Sequence, residues 1–208
     1  MPPVILDSRL RRCVDVLVAA VSLILLSPVL MLIGIAIRLT SPGPAIYRQR
    51  RVGRARTVFT IWKFRTMAVD ADRNGPSVSG KADPRITAIG KLLRGTRLDE
   101  LPQLVNLLRG DLTLIGPRPE VEYFVPYYTM AEQRLLSVRP GVLGPGALLF
   151  AHEQSDELDT APDPDEYYIE HHLHPKLALD LGYLGDRRLT SDLRLVGSAL
   201  RVTLGRKI

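Results

Sequence analysis

Residues 16–37 run for 22 positions without a charge and consist mostly of Leu, Ile, Val and Ala. A helix of that length reaches about 33 Å, enough to cross a bilayer core. The stretch is too long for the apolar region of a cleaved signal, and Ser41-Pro42-Gly43-Pro44 after it is a poor cleavage context. Ser27-Pro28 falls near its middle. Proline removes a backbone donor and clashes with the preceding turn, which predicts a kink or break there. Both flanks are basic, with Arg9, Arg11 and Arg12 before and Arg38, Arg48, Arg50 and Arg51 after. Positive residues favour the cytoplasmic side, so the symmetry argues that both ends stay on it. Two arrangements remain open: a spanning helix kinked at Pro28, or one that enters a single leaflet and returns, with Ser27 re-satisfying the carbonyl that Pro28 frees.

The 208 residues suit one large domain, or a domain plus a membrane segment, which divides the chain into an anchor over 1–40 and a body over 41–208. Hydrophobic residues at 46% and charged residues at 24% exclude a disordered tail or a collagen-like repeat. One cysteine, Cys13, excludes an intrachain disulfide, and with only four histidines a closed structural zinc site is disfavoured. The His171-His172 and His174 run beside Pro175 reads as a polar loop before it reads as a metal site. Net charge is +6, but residues 141–175 hold eight carboxylates and no Lys or Arg, so elsewhere 28 cations face 14 anions. A basic body with an acidic flap at about 152–170 implies an anionic partner: nucleic acid, a phosphorylated metabolite or lipid head groups.

Beyond the 41–44 turn, residues 45–67 alternate apolar and basic side chains around Gly53 and predict a small β-hairpin. Residues 72–83, rich in Gly, Ser and Asp, predict a mobile loop. Ile86, Ile89, Leu92 and Leu93 lie on one helical face, and a second helix is predicted from about Asp99 to Leu108, stopped by Gly110. Thr129 and Glu132 form a capping-box pattern opening a helix to about Ser137. Ser191-Asp192 would cap a last amphipathic helix over about 191–204, suited with Arg194, Arg201, Arg206 and Lys207 to a membrane surface. The class expected is α+β: a small, mainly helical body with one short hairpin.

The densest chemistry lies between Arg94 and Glu120. Asp99-Glu100 beside Arg94, Arg97, Arg109 and Arg118 has a plain reading, in which Asp99 caps a helix and Glu100 complements its dipole. It also has a chemical one. Of two adjacent carboxylates, one can attack phosphorus while the other holds Mg²⁺, with Arg94 and Arg118 neutralising phosphoryl oxygens. Lys63 and Arg65, on the preceding strand, either join that pocket or form a solvated basic strand.

Several strings together resemble the bacterial monotopic phosphoglycosyl transferases, small sugar transferases that act on a polyprenyl phosphate. They are Ser27-Pro28, Ser41-Pro42-Gly43-Pro44, Gln49-Arg50-Arg51-Val52-Gly53, Trp62-Lys63-Phe64-Arg65-Thr66-Met67, Asp83-Pro84-Arg85-Ile86-Thr87, the 98–104 stretch and Gly116-Pro117-Arg118-Pro119-Glu120. Seven in order, across about residues 9–145, are far more specific than any one. The resemblance implies a re-entrant membrane hairpin broken at Ser27-Pro28, with the body on the cytoplasmic face. It implies Asp99 as nucleophile, Glu100 as the carboxylate tied to Mg²⁺, and Arg94 and Arg118 as phosphate ligands. A UDP-sugar donor, a polyprenyl phosphate acceptor and membrane lipid are the implied partners, with no nucleic acid. Asp180 and Asp192 fall near acidic positions of the family's C-terminal part. The chain departs from the family after Pro140-Gly141, where Leu143-Gly144-Pro145-Gly146-Ala147 and the acidic flap are atypical.

Overall fold

A computed structural model describes residues 9–72, 75–149 and 154–203. The chain is α+β in content, with helices around two small sheets. Helix α1 (Arg9–Thr40) is 32 residues long, or about 48 Å.

Pro28 lies inside α1, which is one continuous helical element rather than two. The reason is local. Pro28 has no N–H for the Ile24 carbonyl, and the Ser27 hydroxyl donates to that oxygen instead at 2.8 Å. The freed acceptor is therefore satisfied without opening the helix, as the sequence suggested for Ser27.

Both ends of α1 are fastened to the same body. Near the start, Arg12 donates to the Leu107 and Leu108 carbonyls at 2.6 Å each. Asp15, 4% exposed, accepts from the Leu114 N–H at 2.9 Å and the Thr113 hydroxyl at 2.8 Å. At the other end Ile37 is buried with Phe64 and Leu93, and Leu30 and Ile33 pack on that cluster. Between these attachments Leu17, Ile24, Leu25, Met31 and Leu32 are exposed. Water would penalise so much uncovered apolar surface.

The predicted hairpin is present: β1 (Ile46–Val52) pairs antiparallel with β2 (Val58–Phe64), from Ile46 opposite Phe64 to Val52 opposite Val58. Helix α2 (Ala88–Thr96) starts at Thr87, whose hydroxyl accepts from the Gly90 N–H at 3.0 Å. At Gly90 a Cβ would stand 2.0 Å from the Thr66 carbonyl oxygen, so only glycine lets α2 come this close to the end of the hairpin.

The second predicted helix divides in two. Leu98–Glu100 form a 3₁₀ turn, and α3 (Gln103–Arg109) follows Pro102 and stops at Gly110 with φ +92°. Strand β3 (Thr113–Ile115) pairs in parallel with β4 (Gly141–Leu143), a contact between segments too short to be legible in the sequence. The capping box forms as read: Glu132 accepts from the Thr129 N–H at 2.7 Å, and the Thr129 hydroxyl accepts from the Glu132 N–H at 3.3 Å. It opens a 3₁₀ helix ending at Ser137.

The acidic flap is mostly helical over its described part, with a short break at 161–163. After α4 (Pro145–Leu149) come α5 (Gln154–Thr160), α6 (Pro164–Tyr167) and a π-helical turn (Tyr168–Leu173) leading into α7 (His174–Gly185). His152 lies outside the described residues. Leu158, Tyr168, Leu173 and Leu177 from this region join Val121, Phe124, Tyr128 and Leu135 in the main core. The flap also holds the 72–83 loop: Asp165 accepts from the Ser77 and Val78 N–H groups at 2.9 and 3.0 Å, and Asp159 from Ala82 at 2.8 Å.

Helix α8 (Leu189–Thr203) begins before the predicted cap, so Ser191 and Asp192 lie inside its first turn. Asp192 is an internal tie, accepting from the Tyr183 hydroxyl and from Arg187 Nε at 3.0 Å, with Arg11 at 3.2 Å. Leu204, Arg206 and Lys207 of the predicted amphipathic helix lie outside the described residues.

Candidate active site

The Asp99-Glu100 pair is aimed by the apolar residues around it. Leu98 and Leu101, three apart, both pack on the Ile37–Phe64–Leu93 cluster, which turns the two carboxylates between them toward the other side. Arg97 enters the turn in the left-handed conformation, φ 57° and ψ 16°. For a residue with a Cβ this costs roughly 1–2 kcal/mol, held here by α2 on one side and the leucines on the other. Asp99 makes no cap bond to α3, so the helix-cap reading of this residue is not what the structure contains.

The two carboxylates are treated differently. Glu100 accepts from both terminal nitrogens of Arg118, one of them at 3.2 Å, and Lys63 Nζ stands 3.8 Å away. Although burial opposes ionisation, Arg118 and then Lys63 hold the Glu100 carboxyl far below the usual range. Asp99 instead lines a cleft of about 1380 Å³ together with Lys63, Arg94 and Arg118. Burial first, and the negative Glu100 second, push Asp99 up to about 6. The same burial lowers Lys63 to about 8. Asp99 is thus a partly desolvated carboxylate, ionised at neutral pH, on a wall of cations.

Arg94 reaches the cleft from the last turn of α2. Its Nε donates to the Thr66 hydroxyl at 2.9 Å and one terminal nitrogen to Ser79 at 2.8 Å, which leaves the other free to meet an anion. Arg118 follows β3, and its backbone is propped by Asp180. Asp180 is 1% exposed, accepts from the Gly146 N–H at 3.0 Å and is raised to about 6 by burial. It supports the site from behind, while Asp192 lies outside the cleft lining.

Arg65 also lines the cleft, and its guanidinium is tied to the preceding turn. Its guanidinium donates to the Ser41 carbonyl at 2.9 Å, the Ser41 hydroxyl at 2.8 Å and the Pro42 carbonyl. It buckles the 41–44 turn to the hairpin while still lining the cleft that holds Lys63, Arg94 and Arg118. Sequence reasoning did not find Thr66 and Ser79, which orient Arg94, or Lys176 and Tyr168, which bind Glu120. Thr66 lies within the recognisable 62–67 string, but the others come from segments with no motif. Among the described residues no three His, Cys, Asp or Glu side chains gather as a metal cluster.

A carboxylate in a cation-lined cleft is suited to anionic substrates, and the body carries a helix long and apolar enough to cross a membrane. The chain belongs to the bacterial sugar transferase family, whose profile, described as "Bacterial sugar transferase", matches residues 6–206. It is 37% identical over 190 residues to the UDP-glucose:undecaprenyl-phosphate glucose-1-phosphate transferase of Escherichia coli (strain K12), covering 90% of this chain and 38% of that protein. The like-named enzyme of Caulobacter vibrioides is 34% identical over 94% of this chain and 70% of its own length. The exopolysaccharide production protein PSS of Rhizobium leguminosarum bv. phaseoli is 32% identical over 92% of this chain and 93% of its own. The chain therefore spans about two fifths of the E. coli relative and nearly the whole of the Rhizobium one.

Proposed function

We propose that this chain transfers a sugar phosphate from a UDP-sugar to a polyprenyl phosphate at the cytoplasmic membrane face, in the first membrane step of glycoconjugate assembly. The observation that carries the reading is Asp99. It alone of the adjacent carboxylates lines the cleft, while Lys63, Arg94 and Arg118 stand around it. Relatives named for the same reaction class support the two substrates.

In the first step an Asp99 oxygen attacks the sugar-bearing β-phosphorus in line. The bond to the bridging oxygen breaks, UMP leaves with the electron pair, and an aspartyl-phosphosugar remains. Charge balances without a proton: a dianionic donor and one carboxylate become a monoanionic ester and dianionic UMP. Arg94 and Lys63 bind and orient the phosphates, and Arg118, fixed by Glu100, offers a guanidinium at a set position. In the second step the lipid phosphate takes the phosphosugar and restores the Asp99 carboxylate.

Magnesium needs only one or two carboxylates beside substrate phosphates, and Glu100, next to the nucleophile Asp99 and bound by Arg118, is the carboxylate that would hold it. Bound there, the ion would neutralise phosphate oxygens and ease the departure of UMP.

The re-entrant placement of α1 is part of the proposal. Its support is that Arg12 and Asp15 at one end and Ile37 at the other are held by one folded body, with exposed apolar residues between. A bilayer-spanning helix would put those ends on opposite sides.

The test is a single turnover with each of several UDP-sugars and Mg²⁺, without acceptor. One UMP per enzyme, and a mass increase of one phosphosugar on the intact protein but not on Asp99→Asn, is expected. UMP release only when acceptor is present would overturn the covalent step.

A further inference from the structure

The mechanism brings the donor diphosphate and the lipid phosphate to one cleft. Ten Lys and Arg residues line the cleft. Nine of these hold partners within the protein: Glu100 for Lys63 and Arg118, hydroxyls for Arg94, carbonyls for Arg65, the Trp62 ring for Arg48, and similar contacts for the rest. Among the described residues on the cleft wall, Arg38 is the one cation with no hydrogen bond, ion pair or ring contact. It is also the one residue that α1 contributes to the cleft.

Its position is set from both sides. Ile37, immediately before it, is fully buried against Phe64 and Leu93. Leu39, immediately after, is 82% exposed. Ser41 bonds back to the Ile37 carbonyl through its N–H at 3.1 Å, and Arg65 holds Ser41 and Pro42. Arg38 therefore stands where the apolar helix meets the catalytic cleft. A lipid phosphate has its chain among apolar surfaces and its head at the depth of a membrane segment's end.

We propose that Arg38 receives the phosphate of the lipid acceptor and delivers it to the phosphosugar on Asp99. The inference rests on the reading of Asp99 as nucleophile. An unpaired guanidinium is suited to grip two oxygens of a phosphate dianion while the third attacks. That oxygen forms the new P–O bond, the bond from phosphorus to Asp99 breaks, and the carboxylate keeps the electron pair. A dianion and a monoanionic ester become a diphosphate dianion and a carboxylate, with no proton to place. The commonplace role for Arg38, complementing the helix C-terminus, predicts no preference between the two half-reactions.

Wild type, Arg38→Ala and Arg38→Lys in non-ionic detergent separate these roles. The readouts are UMP burst without acceptor, KM for polyprenyl phosphate, KM for a short water-soluble prenyl phosphate, and binding to vesicles of anionic phospholipid. Arg38→Ala is expected to raise both acceptor KM values about 10- to 100-fold while the burst persists, with Lys recovering part of the loss. An unchanged acceptor KM overturns the proposal. So does a loss confined to vesicle binding, which would assign Arg38 to bulk lipid head groups, or an equal fall in burst and turnover, which would assign it to the donor site or to folding. Absence of a burst in wild type would sink the aspartyl intermediate instead, and the acceptor KM of Arg38→Ala would still decide Arg38.

Discussion

Glu120 and Asp99 line the same cleft among cations, yet only one is neutralised by the protein. Glu120 is buried and fully engaged: Lys176 donates to it, the Tyr168 hydroxyl donates at 2.9 Å, and Arg51 lies 3.9 Å away. Those partners hold its carboxyl low against the opposing effect of burial. Asp99 has cations near it but its own oxygens face the cleft, and burial raises it instead. The first arrangement fastens the π-helical turn and α7 to the Gly-Pro-Arg-Pro-Glu segment, and so holds the walls of the cleft. The second leaves a desolvated anion facing a space lined with positive charge. What separates a structural carboxylate from a chemical one here is which groups complete its hydrogen bonding, not how many cations lie close.

If that contrast is right, the two positions fail in opposite ways. Asp99→Asn should reduce turnover by roughly 10⁴-fold or more while leaving the melting temperature near that of wild type. Loss of both together would erase the distinction. Glu120→Ala should destabilise the fold by about 3–5 kcal/mol, because it leaves Lys176 charged and buried. Denaturant unfolding measures this, and a change below about 1 kcal/mol would show that the cluster is not structural. The pH profile sharpens the comparison further. Activity needs Asp99 ionised and Lys63 protonated, so kcat/KM for the donor should fall below about 6 and above about 8. Asp99→Glu or Lys63→Arg should displace the corresponding limb, and a flat profile across pH 5–9 would contradict the assignment. The smallest effect belongs to the loop clasp. Asp165→Ala removes two acceptors from the 77–78 backbone, freeing the loop that carries Ser79 beside Arg94. Donor KM should rise a few-fold, about 1 kcal/mol of lost hydrogen bonding, with kcat nearly unchanged.

Legibility in the sequence followed the range of the interactions involved. The hairpin, α2, the Thr129–Glu132 capping box and the glycine stop of α3 were readable, because each depends on residues within a turn or a strand of one another. The Ser27 hydroxyl on the Ile24 carbonyl was readable for the same reason. The acidic segment was not. Its charges suggested a flap, yet three of its apolar residues enter the main core and two of its aspartates pin a loop some 80 residues away. Strand alternation placed Arg65 on the Lys63 side, where both line the cleft, but not the 41–44 turn that folds over its guanidinium.

By itself the sequence determined a membrane-length helix, a basic body and the string that brings Asp99, Glu100 and Arg118 into one neighbourhood, since hydrophobic run length, charge and motif order are properties of a chain read along its length. Only the tertiary structure decided that Glu100 belongs to Arg118 and Asp99 to the cleft, that Arg65 ties a turn, and that Arg38 reaches the cleft without a partner. Each of those outcomes depends on which groups, distant in sequence, arrive within hydrogen-bond reach, and on how much water they exclude when they do.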